Sequence, residues 1–310
     1  MKFVTFQDRT GTALGLIQDH VIVNLSAVLQ YLREHNLASE MIQDLPDLHS
    51  VPDLVDAGDT GLEFVQFVLK HEELLDSVPT CSLRDTTLLP PMLKPRKNIF
   101  CLGKNYVKHA LEFEGTDDQT KAVPKHPIIF SKTPTTVIGP NEPINSHRDV
   151  TNALDYEAEI GVVMGKTGTS IQPENALDHI FGFVLMNDVT ARDLQAVHSQ
   201  WLRGKSLDTF CPMGPYVLHK SAVEDITQIE IGCRVNGEVR QHNVSGNMIF
   251  DIPTTVAVLS NGMTLEAGDI IATGTPEGVG IGFNPPKYLA PGDEVTIFSA
   301  QLGELINVVS

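Results

Sequence analysis

Apolar and polar positions alternate in several short runs near the start of the chain, and a period of two predicts strands. Residues 2–6, 14–17 and 21–25 form such runs, the last two separated by a Gln18-Asp19-His20 turn. Ser26 is placed to cap a helix reaching about Glu34. A spacing near 3.6 recurs from Leu62 to Leu75, with Leu62, Val65, Phe67, Val68, Leu69 and Leu75 on or near one face, and predicts a second helix. Pro90, Pro91 and Pro95 then interrupt all periodicity. They form a stiff extended connector, which places a boundary between a small α+β domain, residues 1–89, and a larger domain, residues 90–310.

The larger part reads as strand-rich. Residues 98–103 form a strand closed by Gly103, followed by helix formers from Lys104 to Phe113. Residues 115–125 are polar and charged, which predicts a mobile loop, and residues 127–132 return to strand character. Alternation resumes after Asp155 and ends in Ile-Gly-Val-Val-Met, while residues 180–188 are an apolar run that closes on Asp188. Asn236-Gly237 suits the type I′ turn of a hairpin. Asp251, with Pro253 behind it, caps a helix to about Ser260. Two further strands, 292–298 and 303–309, finish a sheet. The class is α+β with strands dominant, and neither an internal repeat nor a low-complexity tract is present.

Composition narrows the partners. The 310 residues are 42% hydrophobic, enough for a substantial core, and carry a net charge of −17, so nucleic acid and anionic membranes are poor partners. Cys81, Cys101, Cys211 and Cys233 are far apart with no C-x-x-C spacing, as expected of free thiols in a reducing compartment. The first residues lack the apolar stretch of a signal peptide and no run reaches the length of a membrane span, so the expected location is cytoplasmic.

The candidate chemistry sits on the alternating stretch from Leu154. Glu157 and Glu159 project from one face of that strand. Two adjacent carboxylates repel unless a cation lies between them, and hard divalent ions favour oxygen ligands; on its own, Glu-x-Glu also suits the wet face of an edge strand. Asp188, delivered by a buried strand, offers a third carboxylate. His109 and Glu112 are three apart, neighbours on a helix, where a carboxylate fixes an imidazole as a general base or simply pairs with it at the surface. The glycine-rich loop after residue 272 does not match G-x-G-x-x-G and precedes Pro285-Pro286, which excludes a dinucleotide or P-loop site. Its Gly274 and Thr275 fit a close-approach loop able to hold a substrate carboxylate.

Together, residues 154–159, 187–195 and 205–215, with His109-x-x-Glu112 behind Asn105-Tyr106, resemble the core signature of the fumarylacetoacetate hydrolase superfamily, over most of residues 95–310. The first ninety residues resemble the small extra domain of bacterial members in the acylpyruvase and oxaloacetate decarboxylase branch. The resemblance implies a mixed β-sandwich roll, usually a homodimer, that binds Mg²⁺ or Mn²⁺ through Glu157, Glu159 and Asp188. It implies that His109 and Glu112 activate water, that Gln195 and Lys205 polarise a carbonyl and stabilise an enolate, and that Thr275 contacts the substrate acid; Arg192 fits the motif with its role open. The expected substrate is a small 2-oxo acid. The expected reaction is metal-dependent cleavage of a C–C bond next to the keto group, as in oxaloacetate decarboxylation or acylpyruvate hydrolysis, with oxaloacetate favoured. Two alternatives stay open: an isomerase or tautomerase of an unsaturated or enolic dioxo acid, which would keep the metal and tolerate loss of the dyad, and a non-catalytic interaction protein.

Overall fold

The computed structural model describes residues 1–9, 11–78 and 80–310. Its backbone is a large mixed sheet in the order Thr80–Ser82, Val21–Asn24, Thr12–Gln18, Lys2–Gln7, Cys211–His219, Ile180–Asn187, Ala158–Met164, Ile270–Ala272, Ile99–Gly103, Ile128–Lys132. Neighbours pair antiparallel except Ile270–Ala272 and Ile99–Gly103, which run parallel. The strands of the first ninety residues belong to this same sheet, because Lys2 and Phe3 pair with Leu218 and Val217. The proline connector packs along its first strand: Leu89 N donates to Thr5 O and Thr5 Oγ1 donates to Pro91 O.

Alternation along the central strands explains why both faces are covered. Ile160, Val162, Phe183 and Leu185 point into a core shared with the four-stranded sheet of Glu238–Val244, Glu230–Val235, Glu294–Ser299 and Gly303–Val308. Val163, Val184 and Met186 point the other way, against Val28, Leu32, Leu54 and Phe64 from two N-terminal helices. Apolar side chains on both faces give the near-continuous hydrophobic runs seen in the sequence.

Three expected elements shift. The first helix, Leu25–Glu34, is capped by Asn24, whose side chain accepts from Ala27 N at 2.9 Å, and not by Ser26. Starting two residues earlier buries Leu25, while the Ser26 hydroxyl accepts from Leu14 N and donates to Leu48 O. The second helix spans Val51–Lys70 with a break at Gly58, where φ is 56°, and gives way to a 3₁₀ segment, Glu72–Ser77. Within residues 115–125, Gly115 closes the helix Val107–Glu114 in the left-handed region, and Gln119–Ala122 forms a short helix capped by Asp118. The Asn236-Gly237 hairpin, with φ of 51° and 79°, and the Asp251-capped helix Ile252–Ser260 are as the sequence predicts.

Candidate active site

The register of two central strands assembles the acidic centre. Met186 pairs with Glu159 and Asn187 with Ala158, and Asp188 N donates to Glu157 O at 2.9 Å. Asp188, just past its strand, therefore meets Glu157, just ahead of the Ala158–Met164 strand. One oxygen from each of Glu157, Glu159 and Asp188 lies within 4.8 Å of the others, and all three side chains are buried.

Three buried cations surround the carboxylates. Lys205, at the end of the short helix Leu202–Lys205, places Nζ 2.8 Å from Glu157 Oε2 and 2.6 Å from Asp188 Oδ2. Gly204 permits this position, since a Cβ there would lie 2.6 Å from Gln195 N. Arg192 Nη1 is 2.7 Å from Glu157 Oε1, and its Nε donates to Asp155 Oδ2 at 2.8 Å. Lys132 Nζ, fully buried, donates to Asp188 Oδ1 at 2.6 Å, to Val189 O at 3.0 Å and to Lys205 O.

Among the described residues, no lysine or arginine forms an ion pair with Glu159. Its Oε2 accepts from Gly274 N at 2.9 Å. Burial, then Asp188 and Glu157, push its carboxyl well above the usual range. Glu157 differs: burial alone would raise it, but Lys205 and Arg192 hold it below the usual range. Burial opposes the charge on Lys205 as well, yet Asp188 and Glu157 keep that ammonium more basic than usual.

A cleft opens above this cluster, lined by Lys104, His109, Phe113, Phe130, Glu157, Arg192, Gln195, Trp201, Lys205 and Thr275. Trp201 packs 5.3 Å from Phe130 and 6.1 Å from Phe113, centroid to centroid. A Cβ on Gly103 would lie only 2.3 Å from the same indole. These rings leave about 10 Å³, the room of roughly one water, so admitting a substrate requires the aromatic wall or the His109 helix to move. His109 is buried, with Nδ1 3.4 Å from Glu112 Oε2. Glu112 is anchored in turn by Gly278 N, at 3.1 and 3.2 Å from its two oxygens. Gln195 Oε1 accepts from Arg192 Nη1, and Thr275 Oγ1 accepts from Gln241 Nε2. Every site residue expected from the sequence thus lies at or beside one cleft. Gly274 does so differently from the expectation, because its N–H holds Glu159.

Among the described residues, three buried side-chain polar atoms have no hydrogen-bond partner: Glu159 Oε1, Arg192 Nη2 and Tyr106 Oη. Tyr106 belongs here too; burial raises its hydroxyl far above the usual range, with Glu159 and Glu277 adding to the effect. Orphaned buried groups are rare in folded proteins, and an acceptor and a donor orphaned at one cleft fit a cation and an acidic ligand. The donor set is all oxygen, which suits a hard divalent ion.

Comparison with known proteins agrees with this geometry. Residues 98–310 match the family model described as "Fumarylacetoacetate (FAA) hydrolase C-terminal". The chain belongs to the fumarylacetoacetate hydrolase family. It is 51% identical over 314 residues to oxaloacetate tautomerase YisK of Bacillus subtilis (strain 168), covering all of both chains. A solved fumarylacetoacetate hydrolase from psychrophilic Exiguobacterium antarcticum superposes with a TM-score of 0.77 at 35% identity, covering 100% of this chain and 99% of that one. A 2-hydroxyhepta-2,4-diene-1,7-dioate isomerase from Mycobacterium marinum superposes at 0.70 and 27% identity, over 100% and 98%. The protein is an enzyme of this family, with strand-rich mixed α/β architecture, and its acidic triad is able to hold a metal. No described helix is long and apolar enough to cross a membrane.

Sequence reasoning missed four residues of this site. Lys132 ends a run of strand character, Asp155 precedes an alternating run, Tyr106 stands only as part of the motif ahead of the dyad, and Trp201 falls in no motif. Only the fold brings them together.

Proposed function

We propose that this enzyme is a divalent-metal-dependent tautomerase of oxaloacetate or a similar enolisable 2-oxo acid, with Mg²⁺ or Mn²⁺ held by Glu157, Glu159 and Asp188. The observation that carries the reading is the cluster of unpartnered buried atoms: an oxygen on Glu159 beside two more carboxylates, and a guanidinium N–H on Arg192. The full-length likeness to a tautomerase supports the choice of reaction.

A divalent cation supplies Lewis-acid stabilisation of negative charge on the 2-oxygen of a chelated 2-oxo acid. The residues do the rest. Arg192, through Nη2, binds a substrate carboxylate, and Thr275 and Gln195 border the same space. Lys205 keeps its ammonium beside the 2-oxygen, where it favours the enolate. Glu112 accepts from His109 Nδ1–H, which leaves Nε2 as the nitrogen able to take a proton. The contact is long, as catalytic hydrogen bonds often are before a ligand is bound. His109 removes the proton from the enol hydroxyl and returns one to C3, so one proton leaves oxygen, one joins carbon, and no bond between carbons breaks. Phe113, Phe130 and Trp201 keep bulk water from the exposed C3.

A second reading, cleavage of the C3–C4 bond with release of pyruvate, draws on the same His109–Glu112 pair, which is equally placed to activate a water. The two readings separate in one assay. Enol oxaloacetate is mixed with enzyme and Mn²⁺, and loss of the enol absorbance and release of pyruvate are followed together. Faster enol loss without matching pyruvate, abolished by chelator, supports the proposal; an unaccelerated rate with Mn²⁺ present, or pyruvate formed in step with enol loss, overturns it.

A further inference from the structure

Among the described lysines and arginines that line this cleft, Lys104 is the one that the buried carboxylates do not claim. Arg192 and Lys205 also line it, but their charges are committed to Asp155, Glu157 and Asp188. The Lys104 ammonium pairs instead with Glu114, a residue with 40% of its side chain exposed, and lies 4.6 Å above the Phe113 ring at the cleft mouth. Its own side chain is only 13% exposed. The backbone at Lys104 has φ of 53°, in the left-handed region, where a long side chain is uncommon. Such conformations persist where the surrounding structure imposes them, and they cluster at ligand sites. Gly103 before it and Asn105 after it explain the imposition. Gly103 is pressed by Trp201, and Asn105 is locked by hydrogen bonds to Phe250 O, Phe250 N and Thr273 O.

From this placement we infer that Lys104 is a specificity-determining residue, which leaves Glu114 to bind the second carboxylate of a dicarboxylic 2-oxo acid at the cleft mouth. The inference rests on the proposed function for the orientation of the substrate, with its 2-oxo acid end at the acidic triad and its far end outward. An ion pair with an exposed partner is weakly held and readily exchanged. A carboxylate sheltered by Phe113 and Trp201 is a better partner than a solvated Glu114, because a less hydrated, charge-assisted contact is stronger. Lys104 precedes the helix that carries His109 and Glu112, and Glu114 is the last residue of that helix, so the exchange takes place where the helix meets the cleft.

The test uses Lys104→Met, Lys104→Arg and Glu114→Gln in the full chain loaded with Mn²⁺. Two ligands are compared: 2-oxobutyrate, a monocarboxylate, and difluorooxaloacetate, a dicarboxylate that cannot enolise. Binding is read from the fluorescence of Trp201, the single tryptophan, which lines the cleft. Lys104→Met should weaken the dicarboxylate roughly ten- to a hundredfold and leave the monocarboxylate within about threefold. Lys104→Arg should restore most of the difference, and Glu114→Gln should leave dicarboxylate binding unchanged or tighter. With oxaloacetate as substrate, Lys104→Met should raise KM and spare kcat. Equal weakening of both ligands, or the same loss in Glu114→Gln, makes Lys104 a structural latch and overturns the inference. A wild type that binds both ligands equally overturns it while leaving the proposed function standing. A wild type that binds neither sinks both.

Discussion

Glu159→Gln is the substitution whose two effects point in opposite directions. Without metal, Glu159 is the member of the triad that lacks a cation, with oxygens of Glu157 and Asp188 within 4.8 Å. Each full repulsion at that distance amounts to about 3 kcal/mol at an effective dielectric of about 20, and Lys205 cancels much of it. Glutamine has the same shape, still accepts from Gly274 N, and offers an amide N–H to the neighbouring carboxylates. The metal-free variant should therefore be more stable than the wild type by about 1–2 kcal/mol, a rise in Tm of roughly 2–6 °C for a chain of this size. With Mn²⁺ at about a hundred times its Kd, the wild type should gain about 2.7 kcal/mol from binding, and the variant little or nothing. Scanning calorimetry in chelator and then in excess Mn²⁺ measures both. A variant that melts below the wild type in chelator and keeps the metal-induced rise would refute the assignment of Glu159 as an uncompensated ligand.

Three further outcomes follow from the same geometry. Lys132→Met leaves Asp188 Oδ1 buried beside an apolar side chain, and calorimetry should find a loss of about 3–5 kcal/mol; a loss under about 1 kcal/mol would mean that the ammonium contributes little. His109→Asn should slow enol loss by roughly two to four powers of ten while Mn²⁺ and 2-oxobutyrate still bind, as titrations of Trp201 fluorescence would register; an unchanged rate would move the proton carrier elsewhere. His219 is packed against Phe3 and Phe181, and burial, then the N-terminal amine and Lys220, lower it to about 4. Between its unfolded value of about 6.5 and that lower one, the unfolded chain binds a proton that the folded chain refuses, so stability falls as pH drops through the window. His219→Asn should flatten Tm against pH there, and an unaltered slope would exclude His219 as the cause.

The parts of this site legible in the sequence are those that local periodicity can place. Alternation put Glu157 and Glu159 on one side, and an apolar run ending at Asp188 pointed to a buried strand's end. His109 and Glu112 needed only helical spacing. Lys132, by contrast, meets Asp188 across 56 residues of chain, and no local pattern marks a lysine that will be enclosed. The same holds for the sheet: the first strand reads as part of a small unit, yet its partner is the Cys211–His219 strand. Asn24 and Ser26 are equally good caps by type, and only the burial of Leu25 decides between them. The glycine-rich loop at Gly274 reads as one that approaches a substrate carboxylate closely; the close approach is real, with φ of 96°, but the carboxylate it meets is Glu159.

The most direct test records two products in one cuvette. Enol oxaloacetate is added to enzyme with Mn²⁺, the enol is followed by its ultraviolet absorbance, and pyruvate release is followed by coupled reduction. A metal-centred proton-transfer site predicts that enol disappears at least about a hundredfold faster than pyruvate forms, that chelator abolishes the excess, and that Glu159→Gln lacks it. Pyruvate appearing in step with enol loss would contradict the tautomerase account and assign the cleft to C–C cleavage.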